Sequence, residues 1–497
     1  MNSIKSIKNI INKLTEEEIR ILLRVFKSNI SKSESKSIHL VKLFLSEKKY
    51  SLSEIQINIY GKLNYSAFNK LLNRVKYKIF ETIFLDLSIS SNNFSRRNKV
   101  NIDLRKKLLQ ADILQLKGLR NDVLPIYNHI IVSSKKFELY DLQIQALISK
   151  QRLQSINSKV QSFKKINNEI IYAENCLNAL KDSNNIYKEI LNKINNSTNY
   201  LEYISDLELF INKLEDYYNI FKSPTIGFYL FTLSAEMYEN KLLYNKANDN
   251  LEKVKKILLV NDSAYTDNRY GTNLLNLANN NIFLFQFDKS IILANESKKY
   301  FKNLPLSLKI VDELLFYVYF YKFDFEKCNK ILLDNVFQSD NESIKNKFQY
   351  FQACLYFVKG SYKDSLFSLL NYNEIDRDKE GWNINRRILI ILNRIELNEY
   401  ESVDLQIQNL DKFIKRISSN KKIMQRSIVI LRILTKLIQE NFNYNIVYQK
   451  RIKYFKLLES ESAIFHWQVK SPELVIFNDW FKFKMKVDII NSSLKNK

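Results

Sequence analysis

Apolar residues fall three and four apart along most of this chain, the spacing of one face of a helix. Between residues 65 and 85, Phe68, Leu71, Leu72, Val75, Ile79 and Ile83 form such a stripe. Ser66, Asn69, Lys70, Asn73, Arg74 and Tyr77 fall on the outward side. The stretches TEEE (15–18) and SLSE (51–54) each have a capping residue with an acid three places on, which predicts two helix starts. Gly61 ends the second of these helices, GKLN turns the chain, and a long helix follows over 65–85.

A longer period is laid over the short one. Tyr244, Phe287, Phe325, Tyr362 and Tyr400 stand 43, 38, 37 and 38 residues apart. Three places after each comes Ala247, Ser290, Cys328, Ser365 or Val403; seven places after, Leu251, Ala294, Leu332, Leu369 or Ile407. Nine places before each stand Ala235, Ala278, Phe316, Ala353 and Ile391. Two antiparallel helices need slender side chains where their backbones approach and a bulky one to wedge the bend. Self-similarity at this period predicts stacked helical hairpins, an all-α solenoid in which each hairpin buries its faces on the next. Pro224 and Gly227 mark a break before the clear repeats. Upstream, residues 160–194 read as one or two long polar helices, and 203–221 as another.

The pattern resembles the tetratricopeptide repeat. ACLYFVKGSYKDSLFSLL (353–370) is the best match, with Ala353, Tyr356, Gly360, Tyr362, Ser365 and Leu369 in the signature positions. AEMYENKLLYNKANDNL (235–251) is similar. Asn281 and Arg394 depart from the signature aromatic, and the period exceeds the family's. Residues 114–127 look like an earlier repeat with Arg120 in the wedge position. Together with LTEEEIRILLRVF, IYGKLNYSAFNKLLNRVKYKIFE and SPELVIFNDWFKFK, the chain is similar to a family of mostly helical repeat proteins of Bacteroidota, to which no settled activity attaches.

The resemblance implies a right-handed solenoid whose first helices line a concave groove for peptides or partner helices. Transferred to this chain, the groove positions are Tyr229, Thr232, Glu236, Glu239, Thr272, Leu275, Asn279, Glu313, Tyr317, Phe320, Lys347, Tyr350 and Phe357. Several of these rings also fit as contacts to the next repeat. Only Lys347 matches the basic clamp that grips a peptide carboxylate in some members. The organisation that follows is a basic N-terminal helical module (1–100), degenerate hairpins and long helices (101–225), clear repeats (226–415), and C-terminal helices with an aromatic cap (416–497). In the cap, Pro472 after Ser471 predicts a helix start, and Trp467, Phe477, Trp480 and Phe481 are expected to close the last hairpin.

Composition agrees with helices. The chain has 497 residues but only 6 Gly and 4 Pro, too few for the turns of a β or α/β protein of this size. Its net charge is +24, and residues 1–100 carry 19 Lys+Arg against 8 Asp+Glu, an excess of 11. A short helix, a glycine turn and a longer basic helix have the layout of a helix-turn-helix. Asn69, Lys70, Asn73, Arg74 and Tyr77 are types that meet phosphates and base edges. The plainer reading of this module is a helical cap on the solenoid, and the second reading is a nucleic-acid module.

Other chemistry finds no support. His39, His129 and His466 have no partners at ligand spacing, so no metal or cofactor is expected. The isolated glycines build no phosphate cradle, and no GxSxG elbow occurs. Cys176, Cys328 and Cys354 form no CxxC, which fits a reducing, cytoplasmic setting. No leader sequence or membrane span is read. The DRDKEGW cluster (376–382) is expected to cap the helix that follows it. The expectation is a non-enzymatic scaffold for a protein or peptide partner.

Overall fold

The computed structural model describes residues 7–495, apart from 9, 13, 15, 28–35, 47–49, 86–93, 155–159, 197–202, 303, 337–341, 376–377, 379–380, 417–420 and 461–464. The described residues form twenty-three helices and no strand. Most helices pack chiefly on their neighbours in sequence, as in a helical solenoid, whereas Glu16–Lys27 packs mainly on Tyr65–Leu85. The chain divides into two compact units, residues 1–177 and 178–497.

The first unit holds α1 (Glu16–Lys27), α2 (Lys36–Leu45), α3 (Leu52–Tyr60), α4 (Tyr65–Leu85), α5 (Arg96–Leu116), α6 (Arg120–Lys136) and α7 (Tyr140–Gln154). Helix α8 (Val160–Asn196) is continuous through the division and is one helix rather than two. The α3–α4 pair follows the sequence closely. Ser51 and Glu54 make a reciprocal capping box, and Gly61 ends α3 at φ 72. Buried Gln56 accepts the Asn64 backbone N–H at 3.0 Å and so holds the turn. Phe68, Leu71, Leu72, Val75 and Ile79 are buried. The side chain of Ile83 and the capping residue Thr15 lie outside the described residues.

The second unit continues with α9 (Ile204–Phe221), α10 (Pro224–Asn240), α11 (Tyr244–Val260), α12 (Asp267–Phe283), α13 (Phe287–Lys298), α14 (Pro305–Tyr321) and α15 (Phe325–Val336). It ends with α16 (Glu342–Val358), α17 (Tyr362–Leu370), α18 (Trp382–Glu396), α19 (Tyr400–Arg416), α20 (Lys421–Gln439), α21 (Tyr444–Lys450), α22 (Ile452–Leu458) and α23 (Phe477–Lys495). Pro224 opens α10 behind the Ser223 cap, and Gly227 lies inside that helix, where a Cβ would stand 2.7 Å from the Tyr218 ring. The break read there is therefore a turn between packed helices.

All five wedge aromatics are the first residue of the second helix of a hairpin. The residues three, seven and minus nine places away are buried at every one of the five bends. At three hairpins the contact between +3 and −9 is the same bond. Ser290 Oγ donates to Ala278 O and Ser365 Oγ to Ala353 O, both at 2.8 Å, and the Cys328 thiol points at Phe316 O at 3.9 Å. The slender side chain thus bonds the backbone it lets approach.

The bends share a backbone as well. Two residues before each wedge, Leu242, Phe285, Phe323, Gly360 or Asn398 has φ between 55 and 78. The next N–H reaches back five residues, as from Leu243 to Tyr238 O at 2.8 Å and from Ser361 to Tyr356 O at 2.9 Å. This is the Schellman closure of a helix, and it holds without glycine. A β-carbon in that conformation costs roughly 1–2 kcal/mol. Phe323→Gly should therefore raise stability by about 1 kcal/mol, because its side chain is largely exposed and little burial is lost. A urea midpoint below that of the parent would contradict this account of the bend.

Candidate functional site: a cavity beside an occupied helix face

The first helices of the hairpins, α10, α12, α14, α16 and α18, present the positions at which a groove was expected. Over much of that face the chain covers itself. Residues 465–476 cross the face without helical structure and enter α23 at Phe477. Tyr317 Oη donates to Lys470 O at 3.4 Å, and Tyr350 Oη to Pro472 O at 2.7 Å. Trp467 meets the Tyr321 ring edge-on at 5.4 Å and donates its indole N–H to Glu473 O. Lys470 donates to Asn279 Oδ1 at 2.7 Å. Pro472 therefore starts no helix: its carbonyl serves Tyr350, and the Glu473 carboxylate receives the Phe477 N–H at the true helix start.

A buried ion pair fixes this segment. Arg426 on α20 binds both oxygens of Glu473, at 2.5 and 2.8 Å, and also donates to Leu458 O, Phe465 O and Asn478 Oδ1. Beyond it, Trp480 and Phe481 bury against Tyr444, Phe481 also against Phe455, and buried Phe477 packs on both Trp480 and Phe481, so the three close the last hairpins. Trp480 and Lys484 both bond Glu396 of α18.

The remaining groove positions have internal roles too. Phe320 stacks on Phe316, and Phe357 meets the wedge Tyr362. Lys347 pairs with Glu313 at 2.7 Å and lies over Trp382. Tyr229 is buried and stacks on Tyr187 of α8 at 4.7 Å. Leu275 is buried. Asp378 receives the Gly381 and Asn383 N–H groups and so caps α18, while the rest of the 376–382 cluster other than Gly381 and Trp382 lies outside the described residues.

Thr232, Glu236, Glu239 and Thr272 line an open cavity of about 380 Å3. No family model matches the chain, and neither does any curated protein. What the cavity does must be read from its own walls. Tyr187, Leu191 and Ile194 of α8 and Phe228 and Leu233 of α10 supply apolar surface, and Asn268, Arg269, Asn273 and Asn276 of α12 supply polar groups. Arg269 is already committed: its guanidinium lies 4.3 Å from the centre of the Phe228 ring and donates to Ala264 O at 2.8 Å.

The two carboxylates sit three apart on α10, on one side of the helix. Glu236 accepts from Asn240 Nδ2 at 2.9 Å. Burial raises its pKa. Burial, and then the charge of Glu236, raise that of Glu239 to about 7, against smaller opposing effects of Asn280 and Lys470. A carboxyl that holds its proton more tightly when folded contributes stability fully below its ordinary value of 4.5, and that contribution is lost as pH rises through about 7. Glu239→Gln should therefore stabilise the chain by about 2 kcal/mol at pH 8 and by almost nothing at pH 4. Equal urea midpoint shifts at the two pH values would contradict the burial of this charge.

The sequence missed Tyr187, Arg269 and Asn273, and it missed residues 465–476 as an occupant. Among the described residues no three His, Cys, Asp or Glu side chains gather to hold a metal. No described helix is long and apolar enough to cross a membrane.

Proposed function

We propose that the chain is a non-enzymatic scaffold, a right-handed tetratricopeptide-like solenoid, that binds a protein or peptide partner in a concave groove on its first-helix face. The observation that carries this reading is the segment 465–476. That face takes a non-helical stretch of chain by giving tyrosine hydroxyls to its backbone carbonyls, a form of recognition that does not depend on the bound side chains. The same face continues into an open cavity at Thr232, Glu236, Glu239 and Thr272. A photo-crosslinking residue at Thr232 or Asn276 should capture one partner species from native lysate. The same residue at the exposed Phe367 should not. Identical capture at all three positions would remove the groove from the account.

A second reading concerns α4. Asn69, Lys70, Asn73, Arg74 and Tyr77 are all exposed on one helix, opposite its buried stripe. These groups suit a duplex backbone and its base edges. On this reading duplex affinity falls steeply with salt, and Lys70→Ala with Arg74→Ala flattens the slope by about 2. A slope unchanged by the two substitutions would leave α3–α4 as a cap.

A further inference from the structure

We propose that the cavity at Glu236 and Glu239 receives the cationic side chain, a lysine ammonium or an arginine guanidinium, of the partner segment. The inference rests on the partner-binding reading above and narrows its chemistry.

The cavity offers two carboxylates that no paired cation answers: Glu236 accepts from the Asn240 amide, and Glu239 has the Asn280 amide beside it. Among the described residues, no Lys or Arg nitrogen lies within ion-pair distance of Glu236 or Glu239. The chain has 77 Lys+Arg against 53 Asp+Glu, so cations are not scarce in it. Asn273 is only 3% exposed and lines the same cavity; its amide nitrogen donates to Leu251 O, but its Oδ1 has no hydrogen-bond partner. A buried acceptor left unsatisfied costs stability, and its partial negative charge adds to that of the two acids lining the same cavity.

Like charges three apart on a helix repel, and a cation between them turns that repulsion into two attractions. The charged and titratable groups around the pair leave room for this. Tyr187 of α8 and Tyr244 of α11 add no positive charge. Arg269 of α12 gives its guanidinium to Ala264 O and Phe228, and Lys470 gives its ammonium to Asn279. The apolar wall of Tyr187, Leu191, Ile194 and Leu233 suits a methylene stem whose charged head lies at the acids. Lys470 shows the same arrangement one step along the face: a lysine from a non-helical segment, set on the polar side of α12.

The test is a selection of random twelve-residue displayed peptides against the full chain at pH 8, with the Glu236→Gln/Glu239→Gln double variant as counter-target. The chain's own charge of +24 favours acidic peptides non-specifically, so enrichment of a basic position is diagnostic. The expected result is a shared Lys or Arg. Its replacement by norleucine should weaken binding to the parent about tenfold or more and leave binding to the double variant unchanged. Peptides that crosslink at Thr232 yet bind parent and variant equally would overturn the cation and leave the partner reading standing. No peptides, with spermidine bound by the parent but not by the variant, would overturn the partner as the source. Absence of both would overturn the two readings together.

Discussion

Ser365→Leu is expected to cost about 3 kcal/mol of stability. The side chain at 365 is fully buried at the closest approach of α16 and α17. Its hydroxyl bonds Ala353 O at 2.8 Å and receives Asn393 Nδ2 at 3.0 Å, so it ties two hairpins together. Three added carbons have no space there, and overpacking costs about 1–3 kcal/mol before the lost bonds are added. Ser365→Ala removes the bonds without the crowding and should cost only about 1 kcal/mol. Urea denaturation of the two variants separates the terms. Equal and small losses would mean that the backbones are not in close contact at this bend.

The second large effect is expected at Glu473. Glu473→Leu leaves the Arg426 guanidinium buried without its counter-charge and removes the acceptor at the start of α23. Breaking one side of a buried pair costs about 3–5 kcal/mol, mostly because of the charge left behind. The double change Arg426→Met/Glu473→Leu should recover about half of that loss. It should not recover all of it, since Arg426 also satisfies Leu458 O and Phe465 O. The single variant should also become sensitive to trypsin after Lys470, because the crossing segment loses its anchor. A cleavage pattern like that of the parent would show that the segment is held without the ion pair.

These two sites mark what the sequence could and could not reveal. The bend at Ser365 was legible because its parts are close in sequence: a ring, a small residue three on, and another nine before. Helix geometry converts such spacing directly into contact. The α3–α4 pair was legible for the same reason, through a capping box, a glycine and one apolar stripe. The crossing segment was not legible. Its bonds join Tyr350 to Pro472 and Asn279 to Lys470, separations of 122 and 191 residues that leave no local pattern. Ser471-Pro472 has the form of a helix start, but both neighbouring carbonyls, Lys470 O and Pro472 O, are taken by tyrosine hydroxyls.

The cavity was legible in half. Thr232, Glu236, Glu239 and Thr272 were named through the resemblance to the tetratricopeptide repeat, which assigns first-helix positions to a groove. Tyr187 does not follow from it, because α8 has no repeat signature and its aromatic could face either side. The bends at Leu242, Phe285 and Phe323 were hidden for a different reason. Bulky residues look like core, yet here they occupy the left-handed turn that glycine or asparagine fills elsewhere in the chain.

The most direct test asks whether residues 465–476 lie across the first-helix face. Cysteines at Asn279 and Lys470, in a chain whose native thiols are buried, can be treated with a short bismaleimide. The account predicts rapid intramolecular linkage in the folded monomer and none in urea. Two thiols that each react with a monofunctional maleimide but never join in the folded chain would contradict it.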